Sequence, residues 1–156
     1  MLSIRKMQKN DIETLFNIAL RSFQSDYEKH GVYPPLIRLK QKSFLPPRFF
    51  GKTILTDGVI IGGAFVLAFG KKGEIGAIFL DSTQQKKGYG YQVMLMIEEM
   101  YPKVKRWKLE TPAESLGLHR FYESLGYVKT EEKEDSGNGV RGFVYEKTIG
   151  DSGGLF

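Results

Sequence analysis

From residue 49 onward the apolar residues of this 156-residue chain switch from helical to strand spacing, and glycine turns punctuate the switch. Residues 49–56, the dipeptide Asp57-Gly58 and residues 59–69 read as a hairpin, because Asp-Gly accepts the positive φ that a tight two-residue turn requires. Gly70-Lys71-Lys72-Gly73 then turns the chain into a third apolar run, residues 74–80. Three strand runs joined by such short turns commit this stretch to a mostly antiparallel sheet.

The flanks supply the rest. Residues 2–7 alternate with period two and read as a strand. Asn10 with Glu13 has the spacing of a capping box, and Ile12, Leu15, Phe16, Ala19 and Phe23 then fall on one helical face. Residues 24–47 hold Pro34-Pro35 and Pro46-Pro47 around a short helical stretch near 36–42. Prolines exclude long regular structure there, and such a segment is expected to serve specificity or as a lid. After residue 80 come a loop, a helix over 88–100 with Tyr89, Val93, Met96, Ile97 and Met100 on one face, and a strand over 107–110. A helix carrying Leu118, Phe121, Tyr122 and Leu125 stops at Gly126, and residues 127–132 and 140–147 form a last hairpin. Residues 1–149 are expected to form one domain and 150–156 a frayed tail.

Composition removes several chemistries. With no cysteine, disulfides, thiolate metal sites and a cysteine nucleophile are excluded. His30 and His119 are the two histidines, so a histidine metal site or a Ser-His-Asp triad would rest on one of them. No metal is expected. The N-terminus shows no signal-peptide core and no apolar run has membrane-spanning length, so a cytoplasmic location is expected. A net charge of +5 suits nucleic acid or a polyanionic small ligand alike. The lysines and arginines are scattered, which favours solvated surface over a nucleic-acid face.

The unit that speaks most directly to chemistry is Gln85-Lys86-Lys87-Gly88-Tyr89-Gly90, between a strand and a helix. Glycines let the backbone approach a ligand and aim N–H groups at it. The helix start adds unpaired donors and the positive end of its dipole, and two lysines add charge. A P-loop would continue Gly-Lys-Ser/Thr, which is absent here, and a dinucleotide fingerprint would need a small residue where Val93 stands. Taken alone, the loop is either an anion site or a surface turn with two lysines.

Gln85-x-x-Gly88-x-Gly90, after a strand and opening a helix, resembles motif A of the GCN5-related N-acetyltransferases. The stretch from Ser82 to Gly90 is closest to the lysine-acetyltransferase branch. Phe121-Tyr122-Glu123-Ser124-Leu125-Gly126-Tyr127 resembles the Phe-Tyr-Glu-x-x-Gly-Phe/Tyr block of bacterial members. Two motifs in the right order are more specific than either alone. The resemblance implies an α+β fold with a mixed, mostly antiparallel sheet of six to seven strands and about four helices.

It also implies acetyl-CoA as co-substrate, an amine acceptor, and a monomer or homodimer. The loop Gln85 to Gly90 would hold the diphosphate. The strand end Ile78-Phe79-Leu80 would hold the pantetheine arm, with the Leu80 amide as oxyanion donor. Ser115 stands where many members place an asparagine on that arm. Tyr122 would be the leaving-group acid and Glu74 the base, with Glu110 and Asp81 in reserve. From the residues alone, Tyr122 reads first as a core aromatic, and Glu74 is equally a solvated turn residue; His119 reads as a helix-surface residue. A non-catalytic acyl-CoA sensing module on the same fold is the first alternative, and a basic nucleic-acid binder the second. The acceptor pocket is expected within residues 23–50, which include Asp26, Tyr27, Glu28 and Tyr33.

Overall fold

The computed structural model describes residues 1–22, 51–84, 87–134 and 141–150. Seven strands form one mixed sheet in the order β1-β2-β3-β4-β5-β7-β6. They are β1 (Leu2–Lys6), β2 (Gly51–Thr56), β3 (Val59–Phe69), β4 (Lys72–Leu80), β5 (Arg106–Pro112), β6 (Val128–Lys133) and β7 (Gly142–Thr148). Three α-helices occur among the described residues: α1 (Ile12–Ser22), α2 (Tyr89–Met100) and α3 (Leu116–Ser124). The expected fourth, near 36–42, lies outside the described residues, as do the acceptor segment from residue 23, His30 and the tail after residue 150.

The backbone divides into two compact units. The first comprises Met1–Val66 and Ala77–Met96. Its strands β1 and β2 run antiparallel from Leu2↔Thr56 to Lys6↔Lys52, and β2 pairs antiparallel with β3. Asp57 and Gly58 both have positive φ, 51° and 81°, the geometry that keeps a tight hairpin in step with the strand twist. Met7, Ile12, Leu15, Ile18, Ala19, Phe65 and Phe79 make the core of this unit. Ile18 joins the α1 face that periodicity outlined.

The start of α1 is organised differently from the expected Asn10/Glu13 box. Asp11, in a 3-10 turn, is 3% exposed and accepts bonds from Arg5 (2.7 and 2.9 Å), Thr53 Oγ1 (2.9 Å) and the Gln8 amide (2.8 Å). Arg5 above all, against the opposing effect of burial, holds its carboxyl at about 2.

The second unit comprises Leu67–Gly76 and Ile97–Phe156. Here β4 pairs parallel with β5 over four residues, Lys72↔Arg106 to Ile75↔Leu109, while β5 pairs antiparallel with β7 along its whole length. β7 pairs with the edge strand β6, whose residues are mostly exposed. Trp107, Leu109, Val144, Tyr145, Leu125 and Tyr127 are buried. A half-buried ion pair, Lys147 Nζ to Glu98 Oε2 at 2.9 Å, joins β7 to the end of α2.

Two predicted faces need correction. On α2, Met94 is fully buried while Met100 is 40% exposed, because the buried stripe runs Val93, Met94, Ile97 and ends before the helix does. On α3, Leu118 is exposed and His119 takes the inward position.

Candidate active site

In the first unit, β4 ends on two consecutive buried residues, Phe79 and Leu80, with Ile78 half-buried before them. The exposed–buried alternation of Lys72 to Gly76 gives way there to burial of successive residues. Gly62 of β3 is what lets that strand lie against this end, since a Cβ there would collide with the Phe79 carbonyl. The ladder between β4 and β5 stops at Ile75↔Leu109, five residues before β4 itself ends at Leu80. Backbone N–H and C=O groups beyond Ile75 are outside that ladder, and such groups require partners when water is excluded.

The chain leaves β4 through Asp81, whose amide donates to the Ile61 carbonyl at 2.7 Å. A 3-10 turn, Ser82–Gln84, follows. The Asp81 carbonyl accepts the Gln84 amide at 2.8 Å, and its carboxylate accepts Arg21 Nη2 at 2.8 Å and the Thr83 amide at 3.3 Å. Gln84 Oε1 in turn accepts the Lys87 ammonium at 3.3 Å.

Gly88 has φ +78, in the left-handed region, and its carbonyl receives the Gln92 amide at 3.2 Å, the first bond of the helix. Tyr89 and Gly90 open α2, whose first turn carries no acidic residue. Their amides belong to the set a helix cannot satisfy internally, and they lie beside the Lys87 charge, an arrangement suited to an anion. Gln85 and Lys86 lie outside the described residues.

In the second unit, Ser115 is the N-cap of α3, yet its hydroxyl makes no capping bond. Its backbone carbonyl instead receives the Leu118 and His119 amides at 3.0 and 3.1 Å. At the other end, Gly126 has φ +98, with Gly126 N–H to the Glu123 carbonyl at 3.0 Å and Tyr127 N–H to the Tyr122 carbonyl at 3.1 Å. Those two bonds are a Schellman motif, in which only glycine sits without strain. The ring of Tyr127 packs edge-on against Tyr122 at 6.0 Å. The Phe-Tyr-Glu-Ser-Leu-Gly-Tyr block is therefore a helix stop that pins the tyrosine three positions before its cap.

Tyr122 is 7% exposed, and its hydroxyl has no hydrogen-bond partner among the described residues. Burial raises its pKa to about 12. Tyr127 is raised as well, by burial first and then by Glu98 and Tyr122; its hydroxyl is sealed without a partner. His119, expected on the helix surface, is buried: Nε2–H donates to the Pro112 carbonyl at 2.9 Å and the ring lies on Phe143 and Tyr145, at 5.0 and 5.8 Å. It is a core residue with its proton committed.

Glu74 is exposed and has neither hydrogen bond nor ion pair among the described residues. Register pairs it with Lys108, and Lys108 with Glu146. The adjacent row, Leu109↔Tyr145 and Thr111↔Phe143, is the one α3 covers through His119 and Tyr122. Side chains alternate faces along a strand, so Glu74 and Tyr122 stand on opposite faces of this part of the sheet. Of the reserve bases, Asp81 is a poor one. Burial pushes its carboxyl up, but Arg21 and the Thr83 amide outweigh this and hold it below the usual value. Glu110 is paired with Lys133 at 3.3 Å. Among the described residues no three His, Asp or Glu side chains gather to hold a metal ion, and no helix is long and apolar enough to cross a membrane.

The sequence model described as "Acetyltransferase (GNAT) family" matches residues 12–127, which include the glycine loop, Glu74 and Tyr122. The chain belongs to the acetyltransferase (GNAT) family. Its activity is that of an acetyl-CoA-dependent N-acetyltransferase. No curated protein sequence matches the acetyltransferase.

Solved structures resemble it. The PaiA N-acetyltransferase of Thermoplasma acidophilum, in complex with coenzyme A, has a TM-score of 0.76 at 22% identity, over 95% of this chain and 99% of that one. The ribosomal-protein-S18-alanine N-acetyltransferase of Escherichia coli has a TM-score of 0.75 at 17% identity, covering 96% of this chain and 94% of that one. Ard1 of Thermoplasma volcanium has 0.76 at 16%, covering 96% and 99%. At these identities the likeness shows the fold alone. Arg21 is the neighbour of the β4 end that the sequence of the acetyltransferase did not reveal: it meets Asp81 across 60 positions, and no local spacing announces such a pair.

Proposed function

We propose that the enzyme moves an acetyl group from acetyl-CoA to a primary amine of a small molecule or peptide by direct attack on the thioester. The amine nitrogen adds to the acetyl carbonyl carbon, the tetrahedral oxyanion collapses, the C–S bond breaks, and the amide and free coenzyme A leave. Glu74, directly or through water, takes the proton from the amine. Backbone N–H groups at the β4 end, that of Leu80 foremost, stabilise the oxyanion, while Ile78 and Phe79 line the pantetheine arm with Ser115. Lys87, Gly88, Tyr89 and Gly90, with Gln85 and Lys86, hold the diphosphate.

Tyr122 serves the leaving sulfur. With its pKa near 12 and a thiol near 8.5, complete transfer is uphill by about 5 kcal/mol. Its role is therefore a strong hydrogen bond to the developing thiolate rather than full protonation.

The observation that supports this reading most is the division of Glu74 and Tyr122 between two faces of the sheet. Attack on a thioester needs a base on the nucleophile's side and a donor on the leaving group's side, and Glu74 stands on one face and Tyr122 on the other. In the same reading residues 1–149 work as one catalytic domain in the cytoplasm, as a monomer or homodimer, with 150–156 as a tail.

The test is a coenzyme A-release screen against amines, amino acids, polyamines, aminoglycosides and peptides. Because one structural neighbour is named for a ribosomal-protein alanine, an alanine-bearing peptide belongs in the panel. Amine-dependent thiol release supports the reading. Coenzyme A binding with no release from any amine would instead favour a sensing module.

A further inference from the structure

We propose that Arg21 and Asp81 form a positioning pair that holds the turn before the diphosphate loop in its coenzyme A-receiving shape. This rests on the acetyl-CoA-dependent reading above. The turn Ser82–Gln84 contains no buried residue, so packing does not hold it. Polar bonds converging on Asp81 do: its amide to Ile61, its carbonyl to the Gln84 amide, its carboxylate to the Thr83 amide and to Arg21. Gln84 then restrains the Lys87 ammonium. The chain of contacts runs from the last turn of α1, through the end of β4, to the lysine next to Gly88.

Arg21 is the member of this chain that neutralises the aspartate. Without it, Asp81 would be a bare carboxylate close to the place where a diphosphate binds, and the turn would lose its tie to α1. The Arg21 side chain is 52% exposed and that of Asp81 19%. Exposed pairs of this kind add little to folding stability, so the pair's effect is expected in ligand binding. A loop that must be ordered on binding lowers affinity by the cost of ordering it. The chemical step, after the cofactor is seated, is not touched by either residue.

The test compares the parent enzyme with Arg21→Met, Arg21→Lys and the exchange Arg21→Asp with Asp81→Arg, using calorimetric titration of coenzyme A and steady-state kinetics. Arg21→Met is expected to raise the coenzyme A Kd and the acetyl-CoA KM by about five- to tenfold, with kcat at saturating acetyl-CoA and the Tm retained. Arg21→Lys should recover most of the affinity, and the exchange part of it. A Kd in Arg21→Met within about twofold of the parent overturns the proposal while leaving the acetyltransferase reading intact. A rise in Kd matched by a falling Tm and kcat also overturns it, because the pair would then be merely structural. Failure of the parent itself to bind coenzyme A overturns both.

Discussion

The β4 end with its glycine loop and the α3 segment are built on opposite principles. From Asp81 to Gly90 no described residue is buried, and the shape comes from backbone hydrogen bonds, one positive-φ glycine and a few polar side chains. From Ser115 to Tyr127 the candidate side chain is enclosed: Tyr122 sits among Phe121, Tyr127 and Tyr145, with ring centroids 5.3–6.3 Å apart. The first region offers backbone donors to a charged ligand that brings its own counter-charge. The second holds one hydroxyl in an apolar setting, where its proton stays on. A diphosphate needs many weak, well-aimed donors, whereas a leaving thiolate needs one donor that does not ionise.

That contrast can be broken most sharply at Tyr122. Tyr122→Phe should lower kcat by about 10²-fold, the usual scale for losing a proton-sharing group, with the coenzyme A Kd nearly unchanged. Stopped-flow turnover and calorimetry on the same preparation decide it, and an unaltered kcat removes Tyr122 from the mechanism. In the parent enzyme no alkaline fall of kcat from this group is expected until pH approaches about 12.

The two units should also fail at opposite ends of the pH scale. Asp11 has its folded pKa lowered from 3.8 to about 2. Its stabilisation is thus full above the unfolded value and disappears as pH falls through about 2, on the order of 2 kcal/mol. Tyr122 is raised from 10.0 to about 12, so its stabilisation is full below pH 10 and is lost as pH rises through 12. A Tm series against pH should therefore droop at both ends, and a flat acid limb would count against the Arg5–Asp11 ion pair.

Next comes the helix stop. Gly126→Ala places a Cβ at φ +98 and should cost about 1–2 kcal/mol. The Tm falls accordingly, and kcat drops with it as Tyr122 loses its clamp. Glu74→Gln should reduce kcat about tenfold at neutral pH, less than the roughly 10²-fold at which general-base contributions usually begin. The deficit should shrink as pH rises and the amine sheds its own proton; a deficit independent of pH would point to a water chain instead. The smallest effect belongs to the loop. At Gly88 an added Cβ meets nothing within 4 Å, so Gly88→Ala carries only the backbone strain, about 1 kcal/mol. It should appear as a several-fold higher acetyl-CoA KM at constant kcat.

Much of this was legible beforehand because it is local. The Asp57-Gly58 hairpin, the strand–loop–helix around Gly88 and the stop at Gly126 each depend on residues within a few positions of one another. Their conformations follow from steric rules that hold whatever the rest of the chain does. Element identity along β4 and α2 was readable for the same reason, since periodicity is a property of neighbours. Misreadings arose where distant partners intervened. Asn10 looked like the cap of α1, but Arg5 and Thr53 meet at Asp11. His119 looked like surface, but Phe143 and Tyr145 of β7 enclose it. Met100 continued the stripe of α2, yet the helix outruns its own packing.

What the sequence determined by itself, then, is the order of strands and helices and the two motifs that mark an acetyltransferase. Tertiary structure alone decided the parallel pairing of β4 with β5, its end at Ile75↔Leu109, the opposite faces of Glu74 and Tyr122, and the engagement of Asp81 by Arg21. Each of these depends on register or on groups brought together from far apart in the chain. No spacing rule reaches that far, because a side chain's charge and burial are set by what packs beside it.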